Sequence, residues 1–240
     1  MALNQIKKMD KKNSSPSTEK NFKHLDTLVA LFIAILLISN IVTTKIVKVG
    51  PLTLDGGTFI FFISYIFGDI LTEVYGFKKS RKVIWLGFFA NLLLSLIIYL
   101  IGILPSAADW PHQQAYETIL GITPRIVAAS LIAYLCGEFA NAMTLAKLKI
   151  VHQGKKLWIR TIGSTLVGQA IDSFIFITIA FYGILPESTL ITLIISNYIF
   201  KCFFEIIATP ITYKIVNFLK KSENEDYFDY NTKFNPFTIN

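Results

Sequence analysis

Residues 58–76 read TFIFFISYIFGDILTEVYG. An apolar run long enough to cross a bilayer carries two carboxylates, Asp69 and Glu73, four residues apart. On a helix that spacing puts both on one face, one turn apart, with Tyr65 a further turn along it. An acid near the centre of a bilayer costs about 2.5–3.5 kcal/mol on insertion scales. Two on one face therefore indicate a face lining a polar interior. The plainer account is that each pairs with a basic residue on another helix.

The rest of the chain has the same character. Its 240 residues are 53% hydrophobic, with a mean hydropathy of +0.53. That is too apolar for a soluble domain with a polar surface. Six runs approach the roughly 20 residues that span the hydrocarbon: 25–47, 58–76, 83–104, 124–146, 161–185 and 188–219. Residues 1–24 read as a polar basic tail without order, and no cleavable signal peptide begins there. Residues 220–240 form a polar C-terminal tail, which leaves no second soluble domain. The expected fold is an all-α membrane protein of six transmembrane helices.

The net charge of +7 resides in tails and loops, where it carries topology information and does not indicate nucleic-acid binding. Lys and Arg crowd the N-tail, FKKSRK (77–82), KLKIVHQGKKLWIR (147–160) and the C-tail. The connection 105–123 has none. Alternate connections thus share a side, and both termini are expected in the cytoplasm. FKKSRK reads as a tight basic loop, and residues 48–57, with Pro51, Gly56 and Gly57, as a turn. Six spans divide three and three. Gly68-Asp69 with Glu73 in span two is matched by Gly168-Gln169 with Asp172 in span five, as an inverted repeat would place them.

The polar residues within the spans are Asn40, Asp69, Glu73, Asn91, Glu138, Asn141, Gln169, Asp172, Asn197, Lys201 and Glu205. None faces lipid cheaply, so they are expected to converge on the bundle interior. Lys201 is the one basic residue deep in a span; it is expected to pair with Glu205, one turn on, or with a carboxylate of another helix. Cys136 and Cys202 lie inside spans and read as small buried residues, not as a disulfide or metal site. With no His in the spans, a metal centre is disfavoured. A proton path and a planar heterocycle with adjacent N–H donors both suit carboxylates, amides and aromatics. The chain has no phosphate-binding GxxxxGK[ST] loop, and no paired-His or GxSxG motif, so neither ATP hydrolysis nor intramembrane enzymology is expected.

FGDILTEVYGFKKSRKVIWLGFFANLL (67–93), VGQAIDSFIFITIAFYG (167–183) and NYIFKCFFEIIATPITYKIVNFLKKSENEDYFDYNTKFNPF (197–237) closely resemble the queuosine precursor transporters, also called the vitamin uptake transporter family. The likeness runs from about residue 25 to 237. It implies a multi-pass protein of the bacterial inner membrane, without a cofactor, that imports 7-cyano-7-deazaguanine for salvage into queuosine of tRNA; import of the 7-aminomethyl base stays open. Its partners would be that small base and the lipid bilayer, with no direct contact to nucleic acid; a homo-oligomer or an ATPase module stays open. The carry-over falls on Asp69, Glu73, Gln169, Asp172, Asn197, Lys201 and Glu205. An acid among Asp69, Glu73 and Asp172 would hold the base's N–H edge. Gln169, Asn91, Asn141 and Asn197 would complete the substrate site, and Lys201 with Glu205 would form a structural or coupling pair. Glu138 would be either a ligand contact or a partner for a neighbouring helix. The competing account is a membrane subunit of an ATP-driven vitamin uptake complex, docking through Ala129, Ala133 and Gly137. The aromatic tail DYFDYNTKFNPF would either dock on the cytoplasmic mouth or stay loose.

Overall fold

The computed structural model describes residues 21–42, 45–49, 52–121, 124–183, 186–230 and 232–237. The expected unordered N-tail falls largely outside them. The elements run α1 (Leu25–Val42), β1 (Ile46–Val49), β2 (Leu52–Asp55), α2 (Thr58–Tyr75), α3 (Phe77–Gly102), α4 (Gln113–Leu120), α5 (Pro124–Val151), α6 (Leu157–Phe181) and α7 (Glu187–Glu223). Five of the helices are long and apolar enough to cross a membrane: α1, α3, Ala128–Val151 of α5, Leu157–Ala180 of α6 and Leu190–Glu223 of α7.

Helix α2 is different. It packs against α1, α3, α5 and α7, and from Gly68 to Phe77 every residue is buried. The protein therefore places the most acidic of its apolar runs at the centre of the bundle. The outward faces are apolar instead. Leu86, Phe89, Leu93 and Leu100 of α3, and Ile195, Ile199, Phe203 and Ile206 of α7, are all exposed. Such belts suit lipid and would be costly in water.

Three expectations are corrected. Span one stops at Val42, and an antiparallel strand pair follows, with Ile46 opposite Asp55 and Val49 opposite Leu52. The β-branched pattern of IVKV and LTLD favours extended backbone, which makes a short hairpin in an otherwise helical fold. FKKSRK is no loop but the first turns of α3. The reversal is made by Gly76 alone, at φ 82° and ψ 167°, a conformation that L side chains avoid. Finally, Cys136 is exposed, and only Cys202 is buried.

The tail docks. Asp229, which is buried, accepts from the Phe77 backbone N–H at 3.0 and 3.2 Å and so caps the start of α3. Arg81 donates to the Asn235 carbonyl at 2.8 Å and Trp85 Nε1 to that of Pro236 at 2.9 Å. Phe234 packs on Phe77, and the Tyr227 ring lies where a side chain on Gly76 would go. Just before the tail, Glu223 accepts from the backbone N–H groups of Lys23 (2.9 Å) and His24 (2.7 Å), and from the Tyr75 hydroxyl (3.0 Å). One carboxylate thus ties the entry to α1, the end of α2 and the end of α7.

Beside this clasp, three cations meet Glu73. Its Oε1 lies 2.6 Å from Arg160 Nη2, 2.6 Å from Lys220 Nζ and 3.6 Å from Lys149 Nζ. Its Oε2 accepts from Arg160 Nε at 3.1 Å. Lys149 also donates to the Glu73 and Tyr227 carbonyls, and Arg160 to the Lys155 carbonyl. Asp226 of the tail closes the network, 2.5 Å from Lys149 and 2.9 Å from Lys220. Burial alone would push the Asp226 carboxyl up, but the hydrogen bonds from Lys149 and Lys220 hold it below its usual value.

Two outcomes follow for stability. Gly76→Ala pairs a positive φ with overlap against Tyr227, and backbone strain of that kind costs about 1–3 kcal/mol. It should lower the thermal unfolding midpoint in detergent, and adding Tyr227→Ala should restore only part of the loss. Glu73→Gln leaves buried cations short of a counter-charge; breaking a buried pair in this way costs about 3–5 kcal/mol. An unfolding midpoint equal to wild type in Glu73→Gln would contradict the anchoring role.

Candidate functional site

About one turn inward from Glu73, toward the middle of α2, the interior changes character. Asp69 Oδ1 accepts from Asn141 Nδ2 at 2.8 Å. Its other oxygen, and Asn141 Oδ1, find no partner among the described residues. The same holds for Tyr65 Oη, both oxygens of Glu138, Thr165 Oγ1, Gln169 Oε1, Ser173 Oγ and both oxygens of Glu205. These groups come from α2, α5, α6 and α7, and each of the residues is essentially buried. An unmatched buried polar atom costs about 1–3 kcal/mol. A concentration of them within one bundle is a place where a polar molecule would relieve that cost.

Glycines allow the helices to come together here. Gly137 of α5 and Gly168 of α6 lie against each other, and a methyl on either would come within 3.1 Å of the other's carbonyl oxygen. A methyl on Gly137 would also reach within 2.9 Å of the Tyr65 hydroxyl and of Asp172 Cβ. On α2, a methyl on Gly68 would come within 2.9 Å of Glu138 Oε2. Small residues at such crossings are how helices approach closely in a membrane. Ala129, Ala133 and Gly137 of the small-residue stripe are all buried within the chain, Gly137 against Gly168. It offers no outward surface for an ATPase module to dock on.

Asp172 is matched by Lys201, 2.6 Å away. The lysine thus pairs with a carboxylate on another helix and not with Glu205, its neighbour one turn on. Its ammonium also stands 5.1 Å from the Phe61 ring centroid, and Phe61 in turn packs edge-on against Tyr65 at 5.7 Å. Asp69, Glu138 and Glu205 lie close enough to feel one another electrostatically, as do Glu138 and Asp172.

The interior thus gathers Asp69, Asn141, Gln169, Asp172, Lys201 and Glu205 from the sequence expectation. Tyr65, expected on the same face, joins them, and the hydroxyls of Thr165 and Ser173 are added. Thr165, Gln169 and Ser173 follow the four-residue spacing of one helical face, a signal visible once Gln169 is taken as its centre. Three expected residues stand elsewhere. Glu73 is occupied by Arg160, Lys220 and Lys149. Asn91 accepts from Asn40 Nδ2 at 2.5 Å and donates to the Gly87 carbonyl, joining α1 to α3. Asn197 is half-buried on α7, one turn before Lys201. Among the described residues no group of three or more His, Cys, Asp and Glu side chains is arranged to hold a metal ion.

Comparison with known proteins fits this architecture. A family model described as "Putative vitamin uptake transporter" matches residues 55–215, which include α2 and most of α7. The chain is 31% identical over 186 residues to a Bacillus subtilis protein named "Probable queuosine precursor transporter", covering 77% of this chain and 81% of that one. It is 25% identical over 166 residues to the "Queuosine precursor transporter" of Escherichia coli, covering 69% and 72%. A Haemophilus influenzae protein named "Probable queuosine precursor transporter" is 28% identical over 126 residues, about half of each chain. No solved structure matches. The chain belongs to the vitamin uptake transporter family and is a membrane transporter, not an enzyme.

Proposed function

We propose that this protein imports queuosine precursor bases, 7-cyano-7-deazaguanine first and the 7-aminomethyl base with it, across the bacterial inner membrane for salvage into tRNA. The observation that carries the reading is the set of unpartnered, buried carboxylates, amide oxygens and hydroxyls where α2, α5, α6 and α7 meet. That set is matched to a ligand rich in N–H donors. Relatives named as queuosine precursor transporters supply such a ligand. A 7-deazaguanine keeps guanine's N1–H and exocyclic amino group side by side, plus one carbonyl that accepts. Asp69, Asn141, Gln169 and Asp172 form the substrate site in this reading, with Lys201 holding Asp172 in place. Glu73 and Asn91 shape the bundle around it.

In the same reading α2 is the sixth span. Its two carboxylates face neighbouring helices, so its lipid exposure is small and its mean polarity is tolerable. The Lys- and Arg-rich connections, the docked tail and both termini then lie on the cytoplasmic side. Helices α2 and α6 are the corresponding second members of two inverted three-span halves.

The test uses a bacterium that cannot make queuosine precursors and lacks its own importer. Wild-type protein should restore queuosine in tRNA from nanomolar 7-cyano-7-deazaguanine. Asp69→Asn and Asp172→Asn, at equal membrane abundance, should reduce that uptake by roughly 10–100-fold, the value of one or two hydrogen bonds to a charged group. Absence of rescue by well-expressed wild type would refute the substrate.

A further inference from the structure

We propose that Glu138, and not the aspartates of the repeated motifs, is the group that reads the amino edge of the ligand. This rests on the reading of the chain as an importer of a guanine-like base.

The carboxylates of the bundle differ in what they already hold. Glu73 is occupied on both oxygens by Arg160 and further by Lys220. Asp172 is bound to Lys201. Asp69 has given one oxygen to Asn141. Glu138 and Glu205 alone among these five have both oxygens unpartnered among the described residues. A ligand that presents two parallel N–H groups needs both oxygens of one carboxylate, in the two-pronged manner of an arginine–carboxylate pair. Asp69 and Asp172 have only one oxygen left to offer.

Between the two free carboxylates, the surroundings favour Glu138. Its Oε2 stands against Gly68, where the absence of a side chain on α2 leaves the carboxylate its place. The unpartnered Tyr65 hydroxyl is directed at Gly137, the residue before it. Tyr65 and Tyr134 both lie within electrostatic reach of Glu138. Tyr134 is held by the Ile84 carbonyl at 3.3 Å, while Tyr65 has its hydroxyl free for a ligand carbonyl. Acceptor pair and donor therefore sit side by side, as a 2-amino-4-oxopyrimidine edge requires. Glu205 instead shares α7 with Lys201, one turn away, and lies by Asp69 and Cys202. Both free carboxylates have acidic neighbours, so the distinction rests on the Tyr65 hydroxyl beside Glu138 and the Cys202 thiol beside Glu205.

The chemistry makes a discriminating forecast. The edge is read through the exocyclic amine, so an analogue with hydrogen in its place loses one of two charge-assisted bonds. Losing one hydrogen bond to a charged group costs roughly 10–100-fold in affinity. The full-length protein, purified in detergent, would be titrated calorimetrically with 7-cyano-7-deazaguanine and with its 2-desamino analogue. Wild type should prefer the parent base by on the order of 100-fold. Glu138→Gln presents one acceptor and one donor to two donors. It should weaken the parent base by roughly 10–100-fold and leave the desamino analogue little changed, so that the preference collapses. Glu138→Asp keeps the charge but withdraws it by one methylene; it should reduce the same preference in a chain that retains the carboxylate, which covers the case where the amide variant does not fold. A variant of either kind that folds and keeps the wild-type preference overturns the assignment while leaving the importer reading intact. Wild type that binds neither base overturns the importer reading, and this inference with it.

Discussion

A carboxylate taken out of water inside an apolar bundle must be met by donors, and the whole architecture turns on how that requirement is satisfied at each depth of α2. At Glu73 it is met completely, by Arg160, Lys220 and Lys149. Those three cations come from α6, α7 and α5, so neutralising one charge fixes the ends of four helices relative to one another. One turn away, at Asp69, the requirement is met only halfway, by Asn141. In the proposed reading the contrast separates anchoring from binding. Saturated charge gives a rigid end, and unsaturated groups on the same helix face a place for a ligand. The interior can hold so many unpartnered atoms because the network at the end of the helices supplies the order that they do not.

The fold's broad outline was legible because a bilayer permits few solutions: long apolar runs, basic connections and polar residues turned inward. What hydropathy cannot see is a short feature at the edge of a run. Only Thr43, Thr44 and Lys45 separate the span from the apolar Ile46-Val47, so hydropathy carries the span past Val42 to residue 47. FKKSRK was read as a loop because its charges outweigh its helical propensity, when one glycine at positive φ supplies the whole turn. The docked tail was equally open in the sequence. Its aromatic and acidic residues gain meaning only from partners some 150 positions earlier.

For the interior, residue type was legible and pairing was not. The spacing of Asn197, Lys201 and Glu205 correctly places them on one face, yet Lys201 turns to Asp172 because the α6–α7 contact brings that carboxylate within 2.6 Å. Arg160 and Lys149 were hidden in a stretch that reads as an orientation signal. They prove to extend α6 and α5 back to Glu73. The small residues of α5 are visible as a stripe, but a stripe alone does not say which neighbour it serves; at Gly137 the neighbour is Gly168 of α6.

The clasp at residues 223–237 also has a consequence in time. Asp229 caps a helix whose first residue was made 152 positions earlier. At a synthesis rate of about 5–20 residues per second, that interval is roughly 8–30 s. From residue 160 to residue 220 of that interval, Glu73, Lys149 and Arg160 have been made, but Lys220 and Asp226, which complete the cluster, do not yet exist. The bundle therefore closes only once residues 220–229 have been made, and a chain still short of them differs from one that has passed them by whether its charged end is closed.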